Sequence, residues 1–277
     1  MTICFSRSAA VLFVACAWSL AACSEREQTA QEKAVAAAVP GAPPGGVEDI
    51  VAAQAAASDV KEANDLIDFA YAYPVDAARI PALARWLEKD RATKRDALVA
   101  DARRDRAIAE KEGFPFHVHS HIERWQRITS TPRFLSLSSE IETYMGGAHG
   151  MQAFDTLIWD RNRAARRKPL DLFTSPEAFD RATKDDLCAG IERAKKARGI
   201  VWSREPGTPF ADCPVPSAQT VWLGSSDGRY LDRLTIAIGP YEIGPYAEGS
   251  YKINLPMSAA LVNALKPEYQ RDFLPLK

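Results

Sequence analysis

The chain has 277 residues, of which 47% are hydrophobic and 26% are charged, and its formal net charge is −1. This composition is typical of a globular protein long enough for one large domain or two modest ones. The balanced charge and the lack of a recognisable DNA- or RNA-binding motif exclude nucleic acid as the expected partner.

The first 22 residues are typical of a bacterial lipoprotein signal peptide. Arg7 precedes an apolar run over residues 9–22, which is long enough for a signal-peptide core and short for a spanning helix. The run ends in a sequence that resembles a lipobox, so we expect Cys23 to be acylated and to hold the protein on a membrane. A plain secretory signal is the alternative. Ser24, by the sorting pattern of such lipoproteins, favours a periplasm-facing position on the outer membrane of the cell envelope.

Residues 23–60 are rich in Ala, Pro and Gly, and few large apolar side chains are present to offset the entropy of ordering. They predict a disordered tether. Beyond it the remaining cysteines are Cys188 and Cys213, which are 25 positions apart. In an oxidising compartment this pair predicts one disulfide, with two buried thiols as the alternative.

The folded region begins with a strand predicted around residues 66–73 and ended by Pro74. Pro81 then opens a long charged helix to about residue 112, whose alternating charges we interpret as a solvated face. A second helix is predicted from Ser175 to about residue 198. Further strands are predicted over residues 114–127, 133–144, 151–159, 221–223, 231–238 and 250–255.

These elements indicate an α+β fold with a mainly antiparallel sheet, on which the long charged helix and the second helix pack. We expect a first α+β domain over residues 61–160 and a second over residues 161–277, packed together as one unit.

Three histidines suggest a metal site. His117, His119 and His121 lie at i, i+2 and i+4, so a strand would place all three imidazoles on one face, where zinc or copper could bind. His149 could approach them across the sheet. The alternative is a polar sheet face with hydrogen-bonded histidines.

Motifs for familiar catalytic reactions are missing, including the nucleophile elbow, the P-loop and the dinucleotide-binding glycines. Glu140 and Glu142 share one strand face, but such pairs are common on solvated sheets. We therefore expect a non-catalytic protein without a cofactor. A basic segment over residues 161–168 is a solvated turn or a docking point for an anionic partner such as lipopolysaccharide or peptidoglycan.

Two segments carry a family resemblance. The first combines RFLSL at residues 133–137 with YMGGAHG at 144–150, and the second combines DLF at 171–173 with YEIGPYAEG at 241–249. They resemble bacterial envelope proteins with the pair of domains of unknown function found in the ectodomain of the anti-sigma factor RsiV and beside the deacetylase domain of PdaC. The candidate binding or turn residues are Tyr144, Gly146, Gly147, His149, Gly150, Tyr241, Pro245, Tyr246 and Gly249.

Because the RsiV ectodomain is a receptor for lysozyme, the resemblance implies a binding module whose partner is peptidoglycan or a lysozyme-like protein. The chain carries no recognisable sigma-binding segment or polysaccharide deacetylase domain, so we do not expect either activity to carry over. A purely structural envelope role is a further alternative, in which residues 146–150 form only a turn closed by His149.

Overall fold

The computed structural model describes residues 57–275. The predicted signal peptide, the acylation site Cys23 and most of the predicted tether lie outside the described residues. Among residues 57–275, no helix is both long and apolar enough to cross a membrane.

The larger sheet in the described part of the chain has six strands. In spatial order they are β1 (Ser58–Ala63), β2 (Ile67–Tyr73), β3 (His119–Ser130), β4 (Phe134–Tyr144), β5 (Met151–Asp160) and β6 (Ala165–Arg167). Neighbouring strands are antiparallel except β2 and β3, which are parallel. The crossover between these two contains α1 (Val75–Ala78) and α2 (Pro81–Glu112), as a parallel connection requires.

The second sheet is antiparallel and consists of β7 (Thr220–Gly224), β8 (Arg233–Ile238) and β9 (Tyr251–Pro256). Strand β7 packs against the larger sheet, and α3 (Pro176–Ala197) packs against β9. Ser175 caps α3 by accepting a hydrogen bond from the backbone N–H of Ala178 at 3.2 Å. The short helices α4 (Ala259–Ala264) and α5 (Pro267–Gln270) follow β9.

The predicted disulfide is confirmed. It joins Cys188 of α3 to Cys213 in the proline-rich segment that precedes β7. A cross-link that closes a loop of this length contributes about 3.5 kcal/mol in the chain-entropy model.

The β4–β5 hairpin separates two hydrophobic cores in the described part of the chain. Leu135, Leu137 and Leu157 belong to a core shared with α2 and β2. Phe134 and Ile158, on the opposite face, belong to a core shared with the second sheet and α3. Because side chains alternate along a strand, one hairpin serves both cores.

The α+β class is confirmed, and the larger sheet is mostly antiparallel. The predicted strand over residues 114–127 is wrong in its first part, because β3 begins at His119. Its neighbour β2 begins at Ile67, which pairs with His119, so residues 114–118 have no strand beside them. Strand β1 was not predicted, and its first residues lie in the segment assigned to the tether. It is an edge strand with alternating exposure and no large apolar side chain.

The interpretation of the α2 charges as a solvated face is wrong for Asp90 and Lys94, which face the sheet. Lys94 donates to the buried carboxylate of Glu123 on β3 at 2.7 Å and forms an ion pair with Asp90 at 2.8 Å. Burial opposes ionisation of Glu123, but hydrogen bonds from His121 and Lys94 outweigh it and lower the pKa of this carboxyl group. Asp90 also accepts a hydrogen bond from Tyr71 at 2.8 Å. These contacts attach α2 to the sheet.

A buried arginine attaches residues 268–272, here called the C-terminal segment, to the β4–β5 hairpin. Arg133 forms ion pairs with Asp160 at 3.1 Å and with Asp272 at 2.7 Å. It also donates to the carbonyl of Glu268 at 2.8 Å, and its guanidinium lies 4.6 Å from the ring centroid of Tyr269. Asp160 is fully buried. Burial opposes its ionisation, but the hydrogen bonds from Arg133 outweigh burial and lower its pKa.

We expect Asp160→Asn to lower the free energy of unfolding by about 3 kcal/mol at pH 7, because it leaves Arg133 without its buried partner. Since the pKa of Asp160 is lowered by folding, its contribution is complete above the unfolded-state value of about 3.9 and is lost as pH falls further. Urea unfolding at pH 7 and in acid measures both effects.

The exposed carboxylate of Asp186 on α3 provides the control, and Asp186→Asn should leave stability nearly unchanged. An Asp160→Asn variant as stable as the native protein at pH 7 would contradict the assigned role of the ion pair.

Candidate functional site

The turn between β4 and β5 is built on glycine. Gly146 and Gly147 have φ of 85° and 95°, a region that is costly for other residues. The hydroxyl of Tyr144 donates to the carbonyl of Gly147 at 3.0 Å, and Nδ1 of His149 lies 2.9 Å from the carbonyl oxygen of Gly150. The predicted turn residues are therefore held by local hydrogen bonds that fix the direction of His149.

The second family-like segment forms a loop between β8 and β9. Pro245 precedes a short 3₁₀ turn over Tyr246–Glu248. The carboxylate of Glu248 accepts hydrogen bonds from Lys195 on α3 and from Tyr251 on β9, each at 2.6 Å. Burial opposes ionisation of Glu248, but these two hydrogen bonds prevail and lower its pKa. The loop is thus tied to the second core by a charged carboxylate, and Gly249 ends its 3₁₀ turn.

The two segments meet at His149. Its ring stacks on Tyr246 with centroids 3.7 Å apart and planes at 17°, and its Nε2 lies 3.1 Å from the hydroxyl of Tyr241. The rings of Tyr241 and Tyr246 are 5.7 Å apart. Tyr241 has a φ of 70°, which is unusual for a residue with a side chain, and 48% of it is exposed. We call His149, Tyr241 and Tyr246 the aromatic cluster.

Two clefts flank the β4–β5 turn. One has a volume of about 450 Å³ and is mainly apolar, with walls that include the exposed side chains of Phe114 and Met145. The other has a volume of about 440 Å³ and is more polar, and its walls include Glu142, Tyr144 and Tyr246. The aromatic cluster therefore borders a polar cleft that could accept hydroxyl and amide groups.

The structure separates the three histidines that the sequence placed on one strand face. His117 precedes β3 and contacts the ring of Tyr144, with centroids 6.3 Å apart. His119 and His121 do share a face of β3, but His119 lies against α2 and His121 contacts Glu123 at 3.0 Å. Within residues 57–275, no group of three His, Cys, Asp or Glu side chains is placed to hold a metal ion.

Sequence reasoning also named Glu140 and Glu142 as a carboxylate pair. Glu140 forms an ion pair with Lys252 on β9, at the contact between the two sheets. Glu142 lines the polar cleft. Glu140 therefore makes a structural contact, whereas Glu142 forms part of the cleft wall.

Part of the chain matches a known protein family. Residues 60–152, which are 93 of the 277 residues, match the family described as "Deacetylase PdaC". The resemblance to PdaC is confirmed over this segment, which contains the β4–β5 turn and the start of β5. No curated protein matches the chain.

Solved structures that are similar to the chain include two proteins of the DUF3298 family. A member of the DUF3298 family from Bacteroides fragilis has 18% identity and a TM-score of 0.49, and the match covers 78% of this chain and 95% of that one. A DUF3298 family protein from Pseudomonas aeruginosa has 14% identity and a TM-score of 0.46, with 81% and 96% covered.

The conformation of the turn gives a stability prediction. Gly147→Ala should lower the free energy of unfolding by about 1–2 kcal/mol, because alanine is strained at positive φ although space for its methyl group is open. Thermal or urea unfolding measures the change. Gly224→Ala on β7 is the control, since its added carbon would meet only ordinary contacts at 3.7 Å or more, and it should cost nothing. Equal stability of the two variants would contradict the assigned role of Gly147.

Proposed function

We propose that this protein is a lipid-anchored envelope protein that binds a cell-wall component without catalysis, and that the aromatic cluster is its binding surface. The lipobox-like sequence ending at Cys23 supports the anchor, and the resemblance to wall-associated proteins supports the location. The observation that carries the proposal is the meeting of His149 with Tyr241 and Tyr246, which come from segments 92 positions apart in the chain.

The geometry of the cluster suits a ligand with apolar and polar faces. Tyrosine and histidine rings are rigid, so they contribute contact area at a small cost in side-chain entropy. The exposed part of Tyr241 leaves surface for the C–H faces of sugar rings, and Glu142 in the neighbouring cleft can accept hydrogen bonds from hydroxyl groups. Peptidoglycan, a polymer of amide-bearing sugars, presents both kinds of group.

The backbone of Tyr241 also supports a binding role. A residue other than glycine at positive φ costs of order 1 kcal/mol or more, and such residues often lie at functional sites. In this loop the hydrogen-bonding contact with His149 helps to hold the conformation. The structure thus maintains an exposed tyrosine in a costly conformation next to a cleft.

A wall-active protein such as lysozyme is the second candidate partner. The apolar cleft on the other side of the turn favours it, because Phe114 and Met145 are 53% and 45% exposed. Exposed apolar side chains around a cleft are common at protein–protein contacts.

The test uses the unacylated chain beginning at Ser24, which includes all of the described residues 57–275. We expect it to co-sediment with insoluble peptidoglycan, and Tyr241→Ala and Tyr246→Ala each to weaken binding by about tenfold or more, as for aromatic anchors in other interfaces. In parallel, calorimetric titration with lysozyme tests binding of the second candidate partner.

The control is Tyr230→Ala, which removes a tyrosine that is 40% exposed in the segment between β7 and β8. It should bind like the native protein. Retention of full binding by both cluster variants would contradict the assigned site. Turnover of a wall-derived substrate, abolished by a point substitution, would contradict a non-catalytic role.

A further inference from the structure

The opposite end of the larger sheet carries a basic surface. The turn after β5, strand β6 and the next residue hold five cationic side chains, and we call them the basic end: Arg161, Arg163, Arg166, Arg167 and Lys168. Among residues 57–275, only Arg163 of these five forms an ion pair, with Asp160 and Glu268. Most of the positive charge at this end is therefore not neutralised by neighbouring carboxylates.

The exposed cations are held by groups that do not cancel their charge. Arg161 donates to the carbonyl of Thr131 at 2.7 Å and to the hydroxyl of Ser130 at 3.0 Å. The guanidinium of Arg166 lies 4.4 Å from the centroid of a Trp86 ring. Such contacts reduce the entropy that an arginine loses on binding an anion, and they leave its charge available.

The nearby carboxylates have other partners, and within the described residues only Arg163 of the basic end pairs with any of them. Asp160 is fully buried and pairs with Arg133. Asp171 accepts a hydrogen bond from the backbone N–H of Lys168 at 2.9 Å, and the ammonium group of that lysine forms no ion pair among the described residues.

Strand direction relates this surface to the expected anchor. The register of the sheet makes β1 run in the same direction as β4 and β6, from the basic end toward the β4–β5 turn. The chain therefore enters β1 from the side of the basic end. Ala57, the first residue that the structure describes, therefore lies on this side, and the aromatic cluster lies at the far end.

We propose that the basic end is an electrostatic contact surface for the anionic headgroups of the membrane that carries the protein. Each exposed cation near an anionic surface adds attraction that acts within a Debye length, and an anchor keeps the domain at high local concentration. This contact would direct the aromatic cluster away from the membrane and toward the wall. The inference rests on the proposed anchor for its orientation, whereas the headgroup contact itself needs no acyl chain.

The test is co-sedimentation of the unacylated chain from Ser24 with vesicles of phosphatidylcholine alone or of phosphatidylcholine with phosphatidylglycerol. We expect binding only to the anionic vesicles, and a loss of binding when the salt concentration is raised. Replacing three cations of the basic end by glutamine, in R161Q/R166Q/K168Q, should weaken binding by about tenfold or more.

The matched control replaces three exposed cations of α2 and α3 that form no ion pair within the described residues, in R103Q/R193Q/K196Q. It has the same net charge as the test variant and should bind like the native chain. Circular dichroism checks that both variants are folded. Equal binding to both kinds of vesicle, no binding, or an equal loss in the control variant would overturn the proposal. The variant R161Q/R166Q/K168Q is also tested for binding to peptidoglycan. Binding like that of the native chain would show that the proposed function stands whatever the vesicle result.

Discussion

Both faces of the β4–β5 hairpin are buried, each against a different hydrophobic core, and this constraint organises the described structure. Leu135 and Leu137 fill the core under α2, whereas Phe134 and Ile158 fill the core under the second sheet. The buried guanidinium of Arg133 then ties the hairpin to the C-terminal segment. A strand whose alternate side chains serve two cores cannot shift its register by one residue without moving each set of side chains into the wrong core. The position of the turn that follows β4 is fixed in consequence.

The fixed turn explains how two distant segments form one surface. His149 projects from the β4–β5 turn, and the loop that carries Tyr241 and Tyr246 is held through the contacts of Glu248 with Lys195 and Tyr251. The hairpin packs against both cores and the loop is tied to the core under the second sheet, so the aromatic cluster forms only when both cores are in place. Pre-organised rings of this kind lose little entropy when a ligand binds. The aromatic cluster and the basic end lie at opposite ends of the same sheet. One end of the structure therefore carries the aromatic rings and the other carries the cations.

Some of this structure follows from local sequence patterns. Alternation of side chains and the glycines between them predict β4 and β5, and Pro81 and Gly113 mark the ends of α2. The parallel pairing of β2 with β3 could not be predicted, because nothing local distinguishes a crossover from a hairpin. Asp90 and Lys94 look like an ordinary surface pair at i, i+4, since their buried partner on β3 is 29 positions from Lys94. The prediction of a strand around His117 was wrong, because residues 114–118 have no neighbouring strand with which to pair.

The proposed function depends on contact between the aromatic cluster and a wall partner. Its most direct test is an NMR titration of the chain from Ser24, labelled in histidine and tyrosine, with soluble peptidoglycan fragments and, separately, with lysozyme. We expect the ring resonances of His149, Tyr241 and Tyr246 to shift with one saturable dependence on ligand, while those of Tyr230 remain unchanged. Shifts confined to residues remote from the cluster, or none with either ligand, would contradict the proposed function.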